Sequence, residues 1–190
     1  MNREKFLMIL ILLLIFSVAD TQFAYAKTND KPPSFEEMYT QFGYKSVDEA
    51  VKEFENHFKK DVNLPIRIPP ISFTHQLGRF FEDKKYDTND FLEILYISNK
   101  SPGNHFYISI RPLKNKINLK DRGDLKVYTL ENGQKAIYKV DRLFNFLFFE
   151  TDKWQYTFGF DKRVSKELTP EVLVEIANSI DYVSKQKRTL

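Results

Sequence analysis

Three histidines, His57, His75 and His105, are the residue types best suited to metal or acid-base chemistry, and no two stand at metal-ligand spacing. The chain has 0 cysteines, which removes disulfides, thiolate metal sites, thiol nucleophiles and a lipidated N-terminal cysteine together. It contains no His-Glu-x-x-His, no Gly-x-Ser-x-Gly, no glycine-rich phosphate loop and no calcium loop. Asp87-Thr88-Asn89-Asp90 is acidic but lacks the turn glycine, so it reads as a hairpin tip. No metal site, catalytic residue or cofactor is assigned. Two carboxylates that meet only in the folded chain are the one catalytic route left open, and they would make a wall-directed hydrolase. Arg122-Gly123-Asp124 spells an adhesion tripeptide, but three residues recur by chance and Gly beside Asp is ordinary turn chemistry.

Charge narrows the partners. The 190 residues carry 29 Lys+Arg against 26 Asp+Glu, a net +3, too small for a nucleic-acid binder that works by neutralising phosphates. Lysines at 59, 60, 84, 85, 114, 116 and 120 are scattered as on a solvated exterior, or favour an anionic wall or membrane surface. With 18 Phe, 10 Tyr and 1 Trp, the chain has ample core material and is not a disordered segment.

The first residues read as an export signal. Arg3 and Lys5 precede an apolar run from Phe6 to Val18, which Asp20, Thr21 and Gln22 end well short of the about 20 residues a spanning helix needs. Ala24-Tyr25-Ala26 puts small residues where a signal peptidase reads, so cleavage is expected between Ala26 and Lys27. Without cleavage, the same segment would be a membrane tether. The wealth of Lys, Asn, Ile, Phe and Tyr is what AT-rich codons give, and points to a low-GC Gram-positive bacterium. The product would be secreted or wall-associated.

Beyond the signal the sequence predicts a polar linker over 27–45, an α+β domain over 46–184 and a basic tail over 185–190. Ser46 and Glu49 form a Ser-x-x-Glu capping box, and Val47, Ala50, Val51, Phe54 and Phe58 repeat every three or four residues as one apolar stripe. Leu64 to Pro70 has three prolines in seven residues and can be only a connector or an edge. From Ile71 the period changes to two, and seven strands are expected near 71–82, 91–98, 105–111, 125–131, 134–140, 143–150 and 154–160. Asn132-Gly133 suits a type I′ hairpin, which needs positive φ at both residues. Thr169 and Pro170 open a last helix whose buried face is Val172, Leu173, Ile176, Ala177, Ile180 and Val183.

Two of these strands are apolar on both faces. In 143–149, Phe144, Phe146 and Phe148 point one way, and Leu143, Leu147 and Phe149 the other; 91–97 repeats the pattern with only Glu93 polar. The strand at 154–160 divides instead into Trp154, Tyr156, Phe158 and Phe160 against a wet side of Gln155, Thr157 and Gly159. Two helices cover one face of so wide a sheet. The other must be closed by curling, by the proline-rich segment, or by a ligand or partner. Phe144, Phe146, Phe148, Phe149 and Trp154 are therefore the candidates for an apolar groove, or for plain core if the sheet is solid there.

From Ser46 to Ile180 the chain resembles the family catalogued as domain of unknown function 4367, exported and anti-sigma-associated proteins of Gram-positive bacteria. The pieces are Ser46-Val-Asp-Glu-Ala-Val51, Leu64-Pro-Ile66, the hairpin from Glu131 to Tyr138, and Phe148 to Tyr156 leading to Leu168-Thr-Pro-Glu171 and Ile176-Ala-Asn-Ser-Ile180. The resemblance implies a fold and an extracytoplasmic address and assigns no functional residue. The expected protein is an exported, non-catalytic binding or sensing module, with cell wall, an envelope protein or an apolar ligand as its partner, and a twisted antiparallel sheet between N-terminal and C-terminal helices.

Overall fold

The computed structural model describes residues 33–86, 89–119 and 125–187, with side chains of the last helix described as far as Ile180. Ala24, Ala26 and Lys27 at the expected cleavage site, and the Arg122-Gly123-Asp124 triplet, lie outside the described residues.

Helix α1 (Phe35–Gln41) and helix α2 (Val47–Phe58) both begin with a complete capping box, Ser34 with Glu37 and Ser46 with Glu49, in which each side chain serves the other residue's backbone amide. Seven strands follow: β1 (His75–Phe81), β2 (Phe91–Ile97), β3 (His105–Pro112), β4 (Leu125–Thr129), β5 (Lys135–Val140), β6 (Phe144–Glu150) and β7 (Trp154–Asp161). Helix α3 (Pro170–Lys187) closes the described chain, with the Thr169 hydroxyl accepting from the Val172 amide. None of the described helices is long and apolar enough to cross a membrane.

The strands form one antiparallel sheet in the order β1-β2-β3-β7-β6-β5-β4, open at its β1 and β4 edges, and the fold is α+β. It is two meanders, β1 to β3 and β4 to β7, joined where β3 meets β7. The last strand therefore lies at the centre of the sheet. Lys45 pairs with Gly78 on the β1 edge through two 2.8 Å backbone hydrogen bonds, which extends the sheet by one residue.

Register assigns the two faces. The inner face carries Leu92, Ile94, Tyr96, Phe106, Ile108, Ile110, Leu147, Phe149, Trp154, Tyr156, Phe158 and Phe160, all buried in one cluster with Ala50 and Phe54 of α2 and Leu173, Ile176, Ala177 and Ile180 of α3. The proline-rich segment runs over this same face. Trp154 Nε1 donates to the Asp61 carbonyl at 3.0 Å, the Tyr156 hydroxyl to the Asn63 carbonyl at 2.9 Å, and the Arg67 amide to Ser179 Oγ at 3.2 Å. The prolines leave its backbone without ladder partners, and side-chain donors and acceptors from the sheet and α3 take their place.

Three expectations change. Strand β7 has no wet side: Gln155, Thr157 and Gly159 are all buried, because the strand order sets β7 between β3 and β6 rather than near an edge. At the β4–β5 hairpin only Gly133 reaches positive φ, at 83°, so Asn132-Gly133 is not a type I′ turn. The loop is Glu131-Asn132-Gly133, closed by Gly133 N–H to the Leu130 carbonyl at 2.9 Å and Leu130 N–H to the Gln134 carbonyl at 2.8 Å. Leu143 precedes β6 and is 68% exposed, while Asn145 takes an inner-face position beside Leu147.

Candidate functional site

The outer face is closed in pieces. At one end α1 and the turn after it sit against β1 and β2. The Phe35 ring lies 4.8 Å from the His75 ring, and the Tyr44 hydroxyl donates a short hydrogen bond to Glu93. The Arg79 guanidinium stacks 4.7 Å over the Tyr44 ring, reaches the Phe42 carbonyl at 3.2 Å and stands 3.8 Å from Glu93. Glu93, the one acidic residue of its strand, thereby accepts a hydrogen bond from a phenol and faces a guanidinium.

At the other end topology supplies the cover. β3 lies at the middle of the sheet and β4 at its far edge, so the chain between them must cross β7, β6 and β5. Residues 113–119, the described part of that crossing, pass over the outer face. The Gln155 side chain holds them by accepting from the Ile117 amide at 2.7 Å and donating to the Ile117 carbonyl at 3.1 Å, and Lys116 pairs with Glu150 at 3.1 Å. Gln155 is thus a buried amide used twice, which explains a polar residue in the central strand.

Beneath this crossing is a cavity of about 570 Å³ whose apolar lining is Ile117, Leu119, Leu125, Ile137, Phe148 and Phe149 and whose remaining lining residues, Lys116, Lys135, Glu150 and Gln155 among them, are polar. Phe148 continues into a row of rings along the outer side of β6, with Phe146 5.8 Å from Phe148 and Phe144 6.4 Å from Phe146. His105 meets Phe144 edge-on at 5.2 Å. Burial holds the His105 imidazole below the usual histidine range, against the pull of Asp161 and Glu93.

The structure divides the five groove candidates. Phe144, Phe146 and Phe148 are on the outer face, and Phe148 lines the cavity. Phe149 and Trp154 are 3% exposed and their rings belong to the inner core, although Phe149 also contributes to the cavity wall; Phe149 stacks flat on Tyr156 at 5.1 Å, and Trp154 packs on Phe54 at 4.8 Å. Strand β6 is apolar on both sides as expected, with Phe148 buried and Phe144 and Phe146 half-buried in the aromatic row on the face opposite α2 and α3.

Sequence reading missed the polar centre of this face. Tyr107, Ser109 and Arg111 alternate along β3 with buried Phe106, Ile108 and Ile110, and register sets them beside Gly159, Thr157 and Gln155 of β7. The Tyr107 ring lies against Gly159, and burial pushes its hydroxyl up to about 12, so it is a neutral donor at ordinary pH. The alternation was visible in the sequence. The partner strand was not.

A second carboxylate-bearing groove lies between α2 and the end of β1, where His57 stands 3.4 Å from Asp90 and 3.7 Å from Glu82. Asp90 is 1% exposed and accepts from the Asp83 amide, so this cluster ties the β1–β2 loop to the end of α2. Among the described residues no three His, Asp or Glu side chains are grouped to hold a metal ion. No family model, curated protein or solved structure matches the chain, and the family resemblance rests on its motifs alone.

Proposed function

We propose that the protein is an exported, non-catalytic binding module that holds a small apolar ligand in the outer-face cavity. The observation that supports this reading is a cavity of about 570 Å³ with an aliphatic and aromatic lining, on the sheet face that no helix of the inner layer covers. Its size falls within the range of small-molecule sites, and the polar residues of its lining supply groups that fix a ligand's orientation. A hydrolase would need two carboxylates facing one substrate. Among the described lining residues Glu150 is the one carboxylate, and it is paired with Lys116.

The address rests on residues 1–26 and on the resemblance to exported Gram-positive domains. N-terminal sequencing of the protein recovered from culture medium is expected to start at Lys27; Met1 retained in a membrane pellet would replace export with a tether.

Ligand binding is tested with N-phenyl-1-naphthylamine, a neutral apolar fluorophore. Saturable enhancement is expected with the wild-type protein and its loss with Ile137→Glu, which sets a charge on the cavity lining, while the unfolding transition stays cooperative. An absence of saturable enhancement, or equal enhancement in the variant, would defeat the reading.

A further inference from the structure

The centre of the outer face holds three side chains that each have a buried polar atom without a partner. Ser109 and Thr157 are register partners on the two central strands, 5% and 4% exposed, and neither hydroxyl oxygen has a hydrogen-bond partner. Arg111 is two residues further along the same face of β3, roughly 7 Å away by strand geometry. It is half-buried, its Nε is buried without a partner, and its guanidinium lies 5.2 Å from the Phe91 ring with no ion pair among the described residues. The nearest acid on this row, Glu93, is already taken by Tyr44 and Arg79. Buried hydroxyls and half-buried guanidinium groups are otherwise found paired, because leaving water without a new partner is costly. Three such groups side by side on one sheet face are a donor set lacking its acceptor.

The set adjoins the cavity. Register puts Thr157 beside Phe148 and Arg111 beside Gln155, and both Phe148 and Gln155 line the cavity. We infer that the ligand is a single-chain amphiphile with a carboxylate head, the head held by Arg111, Ser109 and Thr157 and the chain lying in the cavity. One unpaired guanidinium calls for one negative charge, and a planar carboxylate matches its fork of N–H donors, leaving lone pairs for the two hydroxyls. This rests on the binding-module reading above and adds the chemistry of its ligand.

The test compares laurate with dodecanol, equal in chain length and different in head, by displacement of N-phenyl-1-naphthylamine from the full-length protein. Laurate is expected to bind at least about tenfold more tightly, the scale of a charge-assisted hydrogen bond pair. Arg111→Gln should abolish that preference and leave dodecanol affinity unchanged. The double variant Ser109→Ala/Thr157→Val removes only unpaired hydroxyls, so it should weaken laurate while its melting temperature is held or raised. Equal affinity for the two ligands in the wild type, or a preference that survives Arg111→Gln, would overturn the head-group assignment and leave the apolar cavity standing. Binding of neither ligand would overturn both.

Discussion

The Tyr107 ring lies across the face of Gly159, its register partner on β7, so closely that a Cβ on the glycine would be 2.4 Å from ring carbons Cε1 and Cζ. Glycine here is a requirement of close approach, since a phenol laid flat on the neighbouring strand leaves no room for a side chain. Gly159→Ala should force Tyr107 out over the aromatic row and cost about 1–3 kcal/mol, the usual penalty of overpacking. Displaced into water, the phenol should titrate nearer its ordinary value of 10.0 than the value of about 12 that burial gives it. NMR of 13C-labelled tyrosine Cζ against pH distinguishes the two, and an unchanged Tyr107 titration in the variant would refute this packing account.

A second close approach fixes α2. A Cβ on Gly78 would be 2.8 Å from the Ala50 Cβ and 2.9 Å from the Val47 Cα, so the first turns of the helix rest directly on the strand. The Val47 contact is backbone and has no rotamer to give. Gly78→Ala should therefore lift the helix, and an overpacking cost of about 1–3 kcal/mol should lower the denaturation midpoint without changing the slope. A variant as stable as the wild type would mean that α2 is free to shift.

Much of the fold was legible because its signals are local. Ser46 and Glu49 bound their helix, Thr169 and Pro170 the last one, and alternation located all seven strands to within a few residues. What failed depended on neighbours in space. Gln155 and Thr157 are polar and looked wet, but the chain returns to the middle of the sheet, where both are buried and Gln155 holds the crossing segment. Asn132-Gly133 has the composition of a two-residue turn, and Glu131 joins it to make a three-residue loop with only the glycine left-handed. Phe148 and Phe149 are identical in type and adjacent in sequence, so which ring joins the inner core and which stays on the outer face was set by the faces that the helices chose. Arg111 gave no signal at all, since an arginine on the polar side of a strand is ordinary until its lack of a partner is seen.

His105 should make the fold sensitive to acid. Its imidazole is half-buried against Phe144, and desolvation holds its folded pKa below the ordinary 6.5, with Asp161 and Glu93 opposing and Arg163 adding to the shift. The unfolded chain then binds a proton near pH 6.5 that the folded chain binds only at lower pH. Between those two values the unfolded state holds more protons, so stability falls as pH drops through about 6.5 toward the lowered value. Carboxylates held low in the folded chain, such as Asp161, also lose stability in acid, so the informative quantity is the difference from His105→Gln. Urea midpoints at pH 7.5 and 5.5 should show a smaller acid loss in that variant, and parallel losses would exclude His105 as the source.

Trp154, the 1 tryptophan of the chain, joins three elements: its ring packs on Phe54 at 4.8 Å and Phe58 at 5.5 Å, and its indole N–H donates to the Asp61 carbonyl. Its fluorescence should therefore be blue-shifted and poorly quenched by acrylamide. Trp154→Phe keeps most of the packing and leaves the Asp61 carbonyl without its donor, a loss of about 1–3 kcal/mol. Phe54→Ala opens a cavity beneath the same ring and should cost about 3–5 kcal/mol and shift the emission to the red, because the indole gains water on the side the phenyl vacates. The two variants separate the roles. If Phe54→Ala leaves both emission and stability as they were, the helix-to-sheet contact through Phe54 is not what buries Trp154.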